Sequence, residues 1–180
     1  MATIAGIKAI QHWNLTLSDD DNTTTDVRTT GIITDLDLPE LTTDFDTDLR
    51  AGELGVVSRP KRLTDLDLSF TAVYPSQELM AAVARSKTIP ATLRATVCVE
   101  NDGVSPVAYI VEGKGYNETM PLGGLSADGI EMEYTFKLYY LTLTLDSFTL
   151  IYDPRNYIFS INGTNLYASV KTIIDPPSTP

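Results

Sequence analysis

One histidine and one cysteine bound the chemistry open to this 180-residue chain. A Cys-His or Ser-His-Asp centre would have to use His12, yet His12 and Cys98 lie far apart in sequence, in segments of strand character rather than at the sharp turns that present nucleophiles. They read as a partly buried strand histidine and a small strand side chain. Zinc needs several His or Cys ligands and is excluded. Gly113-Lys114 has the look of the end of a phosphate loop, but Ala108 stands where the first glycine belongs and Gly115 where the metal-binding hydroxyl belongs, so the pair reads as a strand end. The run Asp19-Asp20-Asp21 lacks the glycine and distal glutamate of an EF-hand loop and reads as a solvated hairpin tip. Asp65/Asp67 and Glu131/Glu133 are spaced for one strand face, as a glycosidase pair would be, but any water-facing strand has the same spacing and no aromatic residues gather around them to bind sugar. No catalytic residue, cofactor or metal site is therefore expected. Asn-x-Thr sequons at Asn14, Asn22, Asn117 and Asn162 read as coincidence in a Thr-rich chain with no evident signal peptide.

The elements that would carry these residues repeat with a period of two. Leu66, Leu68, Phe70 and Ala72 alternate with Asp65, Asp67, Ser69 and Thr71, one face for a core and one for water. Met132, Tyr134, Phe136 and Leu138 alternate with Glu131, Glu133, Thr135 and Lys137 until Tyr139-Tyr140, after which Leu141, Leu143 and Leu145 form the apolar set. A one-residue slip swaps the faces of a strand, so a β-bulge or bend is expected there. Segments 92–100 and 107–112 form a hairpin over Asn101-Asp102-Gly103. His12 to Leu17 and Gly31 to Leu38 read as strands joined by the polar loop Ser18–Thr25. One helix is expected over Gln77 to Ser86, with Pro75 in its first turn and Leu79, Met80 and Val83 as its apolar stripe.

Leu41 to Pro60 has no strong turn at a hairpin position, so it reads as an interaction arm rather than a packed loop. The end, Asp175-Pro176-Pro177-Ser178-Thr179-Pro180, cannot continue a sheet. The expected organisation is one β domain over 1–167, with an arm at 42–60 and an extended tail at 168–180. The fold expected from this order is an antiparallel β-sandwich or barrel subunit with one short helix.

Charge sets the partners. With 24 acidic and 13 basic side chains the net charge is −11, and no basic run exceeds Arg59-Pro60-Lys61-Arg62, which argues against tight nucleic-acid binding. No stretch approaches the ~18 apolar residues of a membrane span, so a soluble protein without a membrane anchor, made in the cytoplasm, is expected.

At the arm and the late strands the chain resembles a known family. Leu38-Pro39-Glu40-Leu41, Arg50-Ala51-Gly52-Glu53-Leu54-Gly55 and the strand Leu66 to Phe70 are similar to the first half of the major tail tube proteins of contractile-tailed phages and R-type bacteriocins. Lys137-Leu138-Tyr139-Tyr140-Leu141-Thr142-Leu143 resembles the family's long late strand, and Asp153-Pro154-Arg155-Asn156 with Asn162-Gly163 resembles its closing turns. The likeness runs from about His12 to about Leu166, in the family's order.

The resemblance implies a virion protein without catalytic activity, assembled in a bacterial host. It would complete an inter-subunit β-barrel in a hexameric ring, and rings would stack into a hollow tube through which DNA passes without sticking. The implied partners are copies of itself, the tail sheath protein, and baseplate and tail terminator proteins. On this reading Asp65, Asp67, Ser69, Thr71, Glu112, Lys114, Glu131, Glu133 and Lys137 line the lumen. The negative excess would repel a phosphate backbone. Phe45, Leu49, Arg50, Gly52, Leu54, Gly55, Val56 and Val57 would form the inter-subunit arm. The tube of a bacteriocin or another contractile injection system shares the same physics. A monomeric β-sandwich binding module and a carboxylate hydrolase are the readings from other classes.

Overall fold

Wherever alternation is cleanest in the sequence, the chain is a strand. The computed structural model describes residues 9–19, 27–29, 32–48, 57–63, 65–101, 104–121, 124–126 and 129–169. In chain order the strands are β1 (Ala9–Asp19), β2 (Val27–Arg28), β3 (Ile33–Asp37), β4 (Thr43–Asp48), β5 (Val57–Leu63) and β6 (Leu66–Val73). The helix α1 (Gln77–Arg85) follows. The chain continues through β7 (Ala91–Asn101), β8 (Val104–Asn117), β9 (Gly124–Ser126), β10 (Gly129–Leu145), β11 (Phe148–Asp153), β12 (Ile158–Ile161) and β13 (Thr164–Asn165). Among the described residues the fold is mainly antiparallel β with one helix, as the alternation implies, and the sheet is not closed.

The main sheet runs β13-β12-β11-β10-β8-β7-β1-β2, with β6 and then β3 added beside the first half of β10 and β9 at its start. It curls around one core. Leu66, Leu68, Phe70 and Ala72 of β6 are buried with Met132, Tyr134, Phe136 and Leu138 of β10, Leu93 and Ala95 of β7, and Leu15 and Leu17 of β1. The Phe70 ring centroid lies 5.1 Å from that of Tyr134 and 6.1 Å from that of Phe136. The helix closes part of this core with Leu79 and Val83, both fully buried. Its cap is Ser76, whose Oγ accepts from the Leu79 N–H at 3.2 Å, so Pro75 stands just before the cap rather than in the first turn.

The phase change at Tyr139 is a bulge. Pairing of β10 with β8 jumps from Leu138↔Gly115 to Tyr140↔Lys114, leaving Tyr139 as the extra residue, and Leu141 then resumes the buried face. On its other side β10 pairs with β6 before the bulge, through Leu138↔Leu66, and with β11 after it, from Leu141↔Tyr152. Gly113, Lys114 and Gly115 thus lie inside β8 opposite this bend, not at the strand end that the sequence implies. A Cβ at Gly115 would fall 2.2 Å from the Lys137 carbonyl oxygen, so only glycine lets the two backbones approach this closely.

Two other expectations change. Among the described residues, segment 32–38 is not paired with β1: its strand, β3, pairs with β6, and β1 pairs with the two-residue β2. Local sequence cannot reveal this, because β3 meets its partner only through the long-range register Leu36↔Phe70. The segment expected to lack a hairpin turn contains β4 and β5, which pair with each other as a separate two-stranded sheet. Of the tail expected at 168–180, residues 170–180 lie outside the described residues.

The closing turns are built as their residue types dictate. The Asp153 carboxylate accepts from the Asn156 backbone N–H at 3.3 Å and from Asn156 Nδ2 at 2.7 Å. Asn162 (φ 48°) and Gly163 (φ 82°) supply the left-handed pair of a two-residue hairpin turn between β12 and β13. Replacing Asp153 with Ala is expected to lower stability by about 1 kcal/mol, because two donors lose their acceptor. Thermal melts should show Asp153→Asn, which keeps one acceptor oxygen, losing less.

Candidate functional site

The face of the sheet turned away from the core carries the polar residues, and the bend in β10 divides it. Before the bend, cross-strand rows join Asp35, Thr71 and Glu133, then Asp37, Ser69 and Thr135, then Asp67 and Lys137. The Lys137 ammonium donates to Asp67 Oδ2 at 2.7 Å and lies 3.6 Å from Glu118 Oε2. The hydrogen bond to Asp67, with the charges of Asp67 and Glu118, raises the lysine pKa against a smaller opposing effect of desolvation. Asp65, Asp67, Glu131 and Glu133 are exposed, and Ser69, Thr71 and Lys137 are half-buried. A groove of about 390 Å³ opens among Asp37, Leu38, Glu40, Asp65, Asp67 and Ser69. It has four carboxylates and no aromatic wall, a poor geometry for holding sugar.

Beyond the bend the surface is rich in threonine and balanced in charge. One row runs Thr16, Arg94, Glu112 and Thr142, and the next Ser18, Thr92, Lys114 and Tyr140. Of the nine residues expected to line a lumen, seven therefore belong to the acidic half built on β6 and β10, whereas Glu112 and Lys114 belong to the balanced half on β8. Between the halves, Tyr116 and Tyr139 lie 6.0 Å apart and the Arg155 guanidinium sits 3.7 Å from the centre of the Tyr139 ring. Asp35, Asp37, Glu118 and Arg94 escaped the sequence reading. Their own alternation was visible, but the pairing that brings Asp35 and Asp37 beside Ser69 and Thr71 was not.

Of the arm residues, Phe45 pairs with Pro60 and Val57 with Asp48 in the β4–β5 ladder. Leu49, Arg50, Gly52, Leu54, Gly55 and Val56 lie outside the described residues.

The register sets His12 directly opposite Cys98, a juxtaposition hidden by their separation in sequence. Among the described residues no group of three or more His, Cys, Asp or Glu is arranged to hold a metal ion. The sequon asparagine Asn117 is buried, its Nδ2 donating to the Val83 carbonyl at 3.3 Å and its backbone N–H to the Ser86 carbonyl at 2.9 Å, which leaves no room for a glycan.

A protein-family model described as "Phage tail tube protein FII" matches residues 24–174. No curated protein matches the chain in sequence. Among solved structures, a chain of the cryo-EM structure of the anti-feeding prophage baseplate, 6-fold symmetrised, is similar at a TM-score of 0.47 and 10% identity, over 80% of this chain and 97% of that one.

Proposed function

This chain belongs to the phage tail tube protein FII family, and from that premise we propose that it is the structural subunit of the inner tube of a contractile phage tail. The family is structural, and its members are components of the virion tail that associate with their own copies and with other tail components. In the proposed assembly, hexameric rings stack into a hollow conduit for DNA, between the baseplate and the tail terminator and inside the sheath.

The observation that carries this reading is a sheet left unfinished. Among the described residues β3 has a partner on one side only, and the sheet does not close. Exposed strand edges invite aggregation unless something pairs with them, and closure across subunits removes them. The acidic half of the polar face would then line the bore. A phosphate backbone is repelled by it and slides. Electron microscopy of the purified chain tests the assembly: rings or hollow rods are expected, and a compact monomer at high concentration overturns it.

The bore has its own test. Asp67 is a poor residue to reverse, since a lysine there would face Lys137. Glu131 and Glu133 are exposed on the same face. Particles carrying Glu131→Lys and Glu133→Lys are expected to assemble normally and to eject DNA about tenfold more slowly, the lower end of electrostatic effects on rates. Unchanged ejection would remove the acidic bore.

A further inference from the structure

We propose that Asn162 is a site of spontaneous covalent modification, at which the side-chain amide deamidates to aspartate and isoaspartate, and that two hydrogen bonds with Thr149 hold the reaction back. The inference stands on the last hairpin of the sheet alone and does not depend on the tube reading.

Asn162 is the one asparagine in the sequence that glycine follows. In deamidation the backbone nitrogen of the next residue attacks the asparagine Cγ. The bond from Gly163 N to Asn162 Cγ forms, the Cγ–Nδ2 bond breaks, and the proton of the Gly163 N–H leaves through solvent with the amide nitrogen as ammonia. Water then opens the five-membered imide at one carbonyl to give aspartate, or at the other to give isoaspartate, whose main chain runs through the former side chain. A Cβ on the attacking residue obstructs the first step, and glycine has none. Residues 162–164 are exposed, and a Cβ built at Gly163 would meet no atom within 4 Å, so the turn is open to the water that the second step consumes. Neither the Gly163 N–H nor Asn162 Nδ2 has a hydrogen-bond partner among the described residues, so neither the attacking nor the departing nitrogen must first be released.

The amide oxygen is held instead. The Thr149 backbone N–H donates to Asn162 Oδ1 at 2.9 Å, and the Asn162 backbone N–H donates to the Thr149 carbonyl at 2.8 Å. The side chain thus extends the β11–β12 ladder one step past Leu150↔Ile161. With Oδ1 fixed on β11, Cγ is aimed across the sheet rather than along the chain toward Gly163, so the turn must open before the ring can close. Opening is local, because β13 is two residues long and ends the sheet. Such ends open at far less cost than a core. Each conversion adds one negative charge to a chain already at −11. Isoaspartate also lengthens the main chain within a two-residue turn, a length to which the Ile161↔Thr164 pairing is matched.

The full chain is to be held at mildly alkaline pH, folded and in urea, with charge followed by isoelectric focusing and isoaspartate located by peptide mass spectrometry. In the folded chain Asn162 is expected to be the first asparagine converted, more slowly than in the unfolded chain. Asn162→Asp should abolish the early charge shift. Thr149→Pro removes the donor to Oδ1, and because the Thr149 N–H and carbonyl both face β12, no bond to β10 is lost with it. It should speed conversion of the folded chain about fivefold, the effect of one hydrogen bond on an opening equilibrium. Asn165→Ala is the second variant, should the proline prevent folding. It frees β13 from Tyr157 and Phe159 while sparing the bonds to Thr149, and it should also speed conversion. A folded chain in which another asparagine converts first, or in which Asn162 stays intact while the unfolded chain converts, overturns the site. Equal rates in the folded and unfolded chains, or no acceleration in the folded variants, overturns the restraint by Thr149.

Discussion

Valine at position 115 is expected to abolish the native sheet, with a loss of about 3 kcal/mol or more, the upper end of what overpacking in a core does. The obstacle is backbone, not side chain. A Cβ at Gly115 would lie 2.2 Å from the Lys137 carbonyl oxygen and 2.8 Å from the Leu138 Cα. Gly115 is held in register with Ala91 on one side and Leu138 on the other, so β8 cannot withdraw without breaking both ladders. Gly113→Ala is the internal control. Its Cβ would meet Leu138 Cδ1 at 2.5 Å, the end of a side chain that can turn aside, so a much smaller loss is expected. Chemical denaturation followed by circular dichroism separates the two; a Gly115→Val protein as stable as the unsubstituted chain would show that the strands do not approach so closely at the bulge.

Phe70→Ala is expected to lower stability by about 3–5 kcal/mol, through lost transfer energy and the cavity left behind. Phe70 is 1% exposed, packs tilted against Tyr134 and stacks on Phe136 across the β6–β10 pair, the pair that also positions Asp67, Ser69 and Thr71. At about 2–4 °C per kcal/mol for a chain of this size, the melting temperature should fall by about 6–20 °C. Phe148→Ala removes the same ring from a 36% exposed site and should change stability by no more than about 0.5 kcal/mol. Equal effects at the two positions would contradict the placement of the core. Because the acidic face is the reverse side of this packed strand pair, a subunit weakened at Phe70 should also assemble less well than one changed at Phe148.

Much of the fold was legible because burial on a sheet has a period of two. The alternation over 65–72 and 131–138 named the buried and wet faces of β6 and β10, and the slip at Tyr139-Tyr140 placed the bulge. The helix was legible from its apolar stripe between Pro75 and Pro90, whereas the Asp153 and Asn162-Gly163 turns were read from the family resemblance; the structure shows the capping and left-handed positions behind them. The segment after Leu41 was harder. Its strands β4 and β5 pair with each other, and their composition does not advertise this.

By itself, then, the sequence determined which side of the cleanly alternating strands meets water, where the bulge in β10 falls, and that acids dominate the wet side of β6 and the first half of β10, since these depend on residues within a few positions of one another. Only the tertiary structure decided which strands are neighbours. That choice put Asp35 and Asp37 beside β6, separated Glu112 and Lys114 from the acidic half, reserved Gly115 for a backbone contact and brought Trp13 of β1 and Leu36 of β3 to one cavity. Strand pairing depends on the combined burial of side chains from distant segments, and no local pattern encodes it.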